Sequence, residues 1–243
     1  MVNMSKFFIW MIPVFFFLAC AKTEKDSHQT EMGYDYFPVV VGQYRVYAVD
    51  SIIFNNSGAP DTLSGQIKET IVEKLGEGNS LKYRVLREFR ASPNQAWQPN
   101  TVWWIVKEDN RIIQTEENLK FIKLVFPVKV NTDWDGNAFF DDRTIVKVGS
   151  ENLEFFKEWD YQIKNIGAES VNGIAYDDVV TVEEANFETS IELRSSTAKY
   201  AKGIGLVERK QKILDTQCIT CTGSWEEKAE KGVILSQILI DHN

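Results

Sequence analysis

From Gln43 onward the chain alternates apolar and polar positions, the signature of strands with one buried face. Leu81, Tyr83, Val85, Arg87 and Phe89 share one side of such a segment, and Lys82, Arg84, Glu88 and Arg90 the other. Thr189, Ile191 and Leu193 oppose Ser190, Glu192 and Arg194 in the same way. So do Trp159, Tyr161 and Ile163 against Asp160, Gln162 and Lys164. Turn-forming runs punctuate these segments: Asn55–Asp61, Gly76–Asn79, Asp109-Asn110 and Asn172-Gly173. The spacing predicts an all-β domain of about ten antiparallel strands, a sandwich or a barrel. Helical periodicity is confined to two turns at most, over Glu151–Glu158.

Three segments are apolar on both faces: Val102–Val106, Phe121–Val130 and Val233–Ile240. Strands of this kind are covered on both sides, one cover being the core. The other is a loop, a neighbouring molecule or a bound apolar ligand. Gly205–Leu214 (GLVERKQKIL) reads the opposite way, as a hairpin arm running past the core. Phe37-Pro38-Val39-Val40-Val41 is echoed by Phe126-Pro127-Val128-Lys129-Val130. Proline lacks a ladder donor, so each echo marks a strand start or an edge.

The N-terminus carries a different pattern. Lys6 is the only charge in residues 1–19, and Phe7–Leu18 is an apolar run broken by Pro13, too short to span a bilayer. This is the layout of a secretory signal peptide. The run ends in Phe16-Phe17-Leu18-Ala19-Cys20, which resembles the lipobox of bacterial lipoproteins, with Phe17 where those proteins carry an aliphatic residue. The resemblance implies cleavage before Cys20 and lipid attachment to its thiol, an acylated (palmitate-type) anchor in the outer membrane of a cell envelope. Residues 20–36 are polar and non-periodic and read as a flexible tether, leaving 37–243 as the β domain.

Within that domain, Tyr36-Phe37-Pro38 with Gly42, Phe126-Pro127-Val128 with Trp134 and Gly136, and Tyr200–Glu208 (YAKGIGLVE) together resemble bacterial extracytoplasmic proteins of the LolA/LolB type. The resemblance implies a single curved antiparallel sheet, a half-open β-barrel, with Gly203 and Gly205 at a bend or bulge. It supplies no catalytic residues, and a lipid-like ligand only by analogy.

Composition narrows the chemistry. Lys and Arg total 27 against 35 Asp and Glu, a formal net charge of -8. That balance argues against nucleic-acid binding, which needs clustered positive charge. His28 and His242 are the only histidines, so a Ser-His-Asp centre or an imidazole zinc site has little to be built from. Cys218 and Cys221 remain once Cys20 is lipidated. In an oxidising compartment they read as a local disulfide before a redox pair or half a zinc site. Asp133, Asp135, Asn137, Asp141 and Asp142 could offer oxygens to calcium, but their spacing is not that of an EF-hand, and solvated Asx turns explain them as well. Asp177-Asp178 and Glu183-Glu184 are adjacent on strands and point to opposite faces, so neither pair can act together as glycosidase carboxylates. Carboxylates from different strands, such as Glu183 with Glu69 or Glu192, could still meet. Among the tryptophans, Trp103, Trp104, Trp134 and Trp159 are expected mostly in the core, although Trp103 and Trp104 face opposite ways. Trp97 and Trp225 lie in polar loops and are expected as exposed contacts.

The resulting expectation is a lipid-anchored, non-enzymatic envelope protein with no metal or cofactor. It would bind an apolar ligand or a protein partner at the membrane surface, with Trp97, Trp103, Trp104 and Trp225 as candidate contacts. The competing readings are a carboxylate-based glycan hydrolase and a purely structural accessory lipoprotein.

Overall fold

The computed structural model describes residues 31–56, 58–78 and 80–243, so the expected signal peptide and Cys20 anchor lie outside the described residues. The alternating segments form long strands. In chain order they are β1 (Tyr44–Phe54), β2 (Asp61–Leu75), β3 (Ser80–Arg90), β4 (Gln98–Glu108), β5 (Arg111–Glu116) and β6 (Leu119–Val125). Two residues of β7 (Asp133–Trp134) and the hairpin β8 (Ile145–Val148) and β9 (Glu151–Glu154) follow. Then come β10 (Tyr161–Val171), β11 (Ile174–Glu188), β12 (Glu192–Ala201), β13 (Gly205–Asp215), the single helical turn α1 (Trp225–Lys228) and β14 (Lys231–His242).

Twelve strands make one antiparallel sheet in the order β6-β5-β4-β3-β2-β1-β14-β13-β12-β11-β10-β7, and β8 and β9 pair separately. The count exceeds the expected ten. The sheet is two meanders, β1 to β6 and β10 to β13, joined by β14, which pairs with β1 on one side and β13 on the other. It curls until its ends nearly meet, so the barrel is closer to closed than half-open. The loop through β7 bridges the seam. The Ile122 N–H donates to the Gly136 carbonyl at 2.8 Å, and Trp134 Nε1 donates to the Ile122 carbonyl at 2.8 Å. On the other side of the loop, the Asn131 N–H donates to the Ile163 carbonyl of β10 at 2.8 Å, and the Ile163 N–H donates to the Thr132 carbonyl at 3.0 Å. A barrel closed this way leaves β6 without a free edge over its middle.

The main core fills the barrel from Tyr83, Val85, Trp103 and Ile105 across to Tyr161, Ile163, Val180, Val182 and Tyr200. Phe121, Phe140, Phe156 and Trp159 form a largely edge-to-face ring cluster of the same core, with centroids 5.1–5.3 Å apart. Three expectations need correction. Gly205–Leu214 is not an arm outside the core: β13 lies inside the sheet, and Val207, Ile213 and Leu214 are fully buried. Its charges mislead because Glu208 and Arg209 are themselves buried in ion pairs. Glu151–Glu158 forms β9 and a turn, not a helix. An α-helical turn lies instead at Trp225, opened by Ser224, whose backbone N–H donates to Glu227 at 2.8 Å, and a 3-10 turn at Tyr34–Tyr36. Finally, residues 31–36 are not free tether. Tyr36 is buried, the Val128 N–H donates to the Met32 carbonyl at 3.0 Å, and Tyr34 Oη donates to the Asp109 carbonyl at 2.7 Å.

The glycine motif Tyr200–Val207 sits at the turn between β12 and β13. Gly203 and Gly205 take φ of 78° and 99°, the left-handed region that glycine tolerates best. A side chain at Gly205 would also press on the Arg45 guanidinium, 3.0 Å away.

Candidate functional site

The barrel interior is not uniformly apolar. Across the middle of the sheet, inward-facing positions of six strands carry Arg45, Glu69, Arg87, Gln114, Glu116, Arg209, Gln211 and Gln237. Lys123 and Glu184 join them from β6 and β11. Lys123 has no partner in the β5–β6 register, and Glu184 has none in the β11–β12 register. Each is the extra residue of a β-bulge. There the strand buries two successive side chains, Lys123 with Leu124 and Glu184 with Ala185.

Arg209 is the centre of the cluster. Its Nη2 donates to Glu184 Oε1 at 3.2 Å, and its Nη1 lies 4.0 Å from Glu116 Oε1. Glu184 accepts from Ser196 Oγ at 2.6 Å, and Glu116 from Lys123 Nζ at 2.8 Å. Arg87 donates to Glu69 at 3.0 Å and lays its guanidinium 3.6 Å over the Trp103 ring. Arg45 faces Glu69 across the β1–β2 register, but donates to the Ile204 and Pro38 carbonyls at 2.6 and 2.8 Å. Four cations thus stand against three carboxylates, a net of one positive charge in the lumen.

Burial and mutual charge set the protonation of this cluster. Burial raises the Glu116 carboxyl, but Lys123 and Arg209 beside it outweigh that and hold it below the ordinary range. Burial and neighbouring Arg209 together lower the Lys123 ammonium. Burial also pushes the Tyr161 and Tyr200 phenols far up, so both stay neutral. The arrangement is a set of fixed charges and donors. A glycosidase acid needs a raised carboxyl, and Glu116 is displaced the other way.

Two spaces that share part of their lining border the cluster. The outer one, about 350 Å³, has apolar walls from Val49, Ile67, Leu119, Phe155, Trp159 and Leu235, and a polar floor from Arg87, Glu116, Lys123 and Arg209. Glu117 stands exposed on its rim. The inner one, about 30 Å³, lies among Arg45, Tyr47, Glu69, Gln114, Tyr200 and Arg209. Trp103, Arg209 and Gln237 line both. Trp103 Nε1 and Arg209 Nε are buried donors without a partner.

The four tryptophans proposed as contacts are not brought together. Trp103 alone enters the lumen. Trp104 lies on the outer face with Lys82 Nζ 4.1 Å over its ring. Trp97 is half-buried under Arg90, at 4.2 Å. Trp225 is half-buried too, donating to Glu188 Oε1 at 2.8 Å with Lys228 over its ring. Trp134 and Trp159 pack in or against the core. Neither loop tryptophan is the open contact expected, because a neighbouring cation covers each ring. Glu183 pairs outward with Lys164 and Glu192 with Lys157, so neither meets Glu69. Glu184, on the opposite face from Glu183, is 1% exposed. In the aspartate loop, Asp135 and Asp141 accept backbone N–H bonds two residues on, which is Asx-turn geometry.

Cys218 and Cys221 are joined in a disulfide at the end of the β13–α1 loop, away from the lumen. A ring this short constrains little chain. Reducing it is expected to cost no more than about 2 kcal/mol in urea unfolding and to leave the far-ultraviolet spectrum unchanged. Loss of the folded baseline on reduction would show that the loop holds more than its own shape.

No protein-family model matches this chain, and comparison with curated proteins returns no match. Among solved structures, one similar chain comes from Bacteroides fragilis and is provisionally described as an exported protein with a YmcC-like fold. It is 10% identical, with a TM-score of 0.44 over 85% of this chain and 98% of that one. A second comes from Parabacteroides distasonis and is provisionally described as a lipoprotein. It is 10% identical, with a TM-score of 0.39 over 86% and 98% of the two chains.

Proposed function

We propose that this protein is a non-enzymatic binding module of the cell envelope, held to the outer membrane by lipid on Cys20, whose barrel lumen takes an amphipathic small molecule. The observation that carries the reading is the outer cavity itself. Its walls are apolar, its floor is ionic, and its volume lies at the low end of the roughly 300–1,000 Å³ typical of ligand sites. A structural accessory role would leave no reason to keep four cations and three carboxylates inside a barrel, where an apolar filling packs as well at lower desolvation cost. Hydrolysis is disfavoured because the inward carboxylates are each engaged by a cation.

The test is native mass spectrometry of the mature chain purified from its own host, before and after mild denaturation. A discrete small mass lost on unfolding is the expected result. A bare protein mass from several preparations would move the reading to a partner-binding accessory protein.

A further inference from the structure

We propose that the inner end of the lumen receives the head of a single-chain carboxylic acid, its oxygens accepting from Trp103 Nε1–H and Arg209 Nε–H while its tail lies along the outer cavity. This rests on the binding-module reading and adds the chemistry of the head group.

The first observation is the pair of donors. A buried indole N–H ordinarily finds a partner, and so does each N–H of a buried guanidinium. Here both are unpartnered, and both belong to residues that line the inner and the outer space. The other unpartnered buried atoms, on Gln43, Asn137 and Arg194, line neither. Arg209 spends its Nη2 on Glu184 and turns Nη1 toward Glu116, so Nε is the part of the fork left for a further acceptor.

The second observation is charge. With solvent-exposed Glu117 on the rim left aside, the lumen cluster carries one positive charge more than its buried carboxylates neutralise. Arg45 is the unmatched cation: it donates to carbonyls, and no carboxylate comes within ion-pairing distance of it among the described residues. One monoanion balances the cluster. A cationic or zwitterionic head would not.

The third is size. The inner space, about 30 Å³, is roughly a tenth of the outer one, about 350 Å³, so only a small head group enters it. A carboxylate is a small anionic head; a sugar ring or a base is too large. The apolar walls outside it are then the place for an alkyl chain.

The test uses the mature chain from residue 20 with Cys20→Ser, so that no lipid is attached, after delipidation. Titration calorimetry is run with dodecanoate, dodecanol, dodecyltrimethylammonium and acetate. Dodecanoate is expected to bind at least tenfold tighter than dodecanol, with the cationic amphiphile weaker than both and acetate undetectable. Trp103→Phe keeps the ring under Arg87 but removes the N–H, and Arg209→Lys keeps the charge but removes Nε. Each is expected to weaken dodecanoate about tenfold while leaving dodecanol unchanged. Circular dichroism confirms that both variants fold, and Trp103→Phe stands alone if Arg209→Lys does not. Equal binding of dodecanoate and dodecanol, unaffected by Trp103→Phe, would overturn the head-group assignment and leave the binding module standing. Acetate binding as tightly as dodecanoate would overturn it too, by removing the tail from recognition. No binding of any amphiphile would overturn both readings.

Discussion

Replacing Arg209 with methionine is expected to destabilise the domain by about 3–5 kcal/mol, the largest effect of any single side-chain change in the lumen. The guanidinium is buried and touches Glu184 directly; Glu184 is 1% exposed and keeps only Ser196 Oγ–H once Arg209 is gone. Methionine fills the space but leaves that carboxylate unpaired in a low-dielectric interior. For a domain of this size the loss corresponds to a Tm lower by roughly 6–20 °C. The pH dependence separates this cause from poor packing. In the wild type, the lowered Glu116 carboxyl contributes stability that is fully present above the unfolded carboxylate value and is lost as pH falls through its folded value. In the variant, Glu116 loses one of the two cations that hold it down, so part of that contribution is missing and acid removes less. The stability gap between the two proteins should therefore narrow as pH falls from about 7 to about 3, through the ordinary carboxylate range, in urea titrations. A gap that stays constant over that range would mean the loss is one of shape.

The second large effect is expected at Gly136. A methyl group there would fall on the Tyr161 ring. Tyr161 is fully buried, donates to Asn137 Oδ1 at 3.2 Å, and is flanked by Trp134 and Trp159 at 5.6 and 5.9 Å, so it has no room to swing. The loop must retreat instead, taking with it the Ile122 bond to Gly136 and the Trp134 bond to Ile122. Overpacking at about 1–3 kcal/mol with two lost hydrogen bonds at about 1 kcal/mol each makes Gly136→Ala cost roughly 3–5 kcal/mol. Amide exchange locates the damage: the Ile122 N–H should lose protection while amides of β1 and β14 keep theirs. Unchanged protection at Ile122 would mean that Gly136 does not hold the seam.

Much of this architecture was legible from alternation. The inward set Tyr83, Val85 and Arg87, and the set Trp159, Tyr161 and Ile163, were readable because a regular strand has a period of two. Arg87 on an apolar face was already a sign of a polar interior. What alternation could not give was Lys123 and Glu184, because a bulge breaks the period at the residue in question. Arg209 was hidden for another reason. Within ERKQK a buried arginine and an exposed lysine look alike, and only the strands on either side decide. The barrel seam was invisible because its bonds join Ile122 to a loop that has almost no strand character. The polar loops around Trp97 and Trp225 suggest open contacts, but Arg90 and Lys228 cover those rings, as Lys82 covers Trp104, and a pattern of single residues does not show which cation lies over which ring.

The place of β14 has a consequence for how the chain is made. Synthesis delivers β1 to β6 first and β10 to β13 later, and each group can pair within itself as it emerges. Neither can complete the barrel, because β1 and β13 each wait for the same partner, Lys231–His242. Until those twelve residues are available, two strands keep unpaired edges and the ionic cluster lacks Gln237. The commitment step is therefore vectorial and late. Such a nascent polypeptide stays loose enough to be threaded, and becomes a barrel only after nearly all of it has arrived.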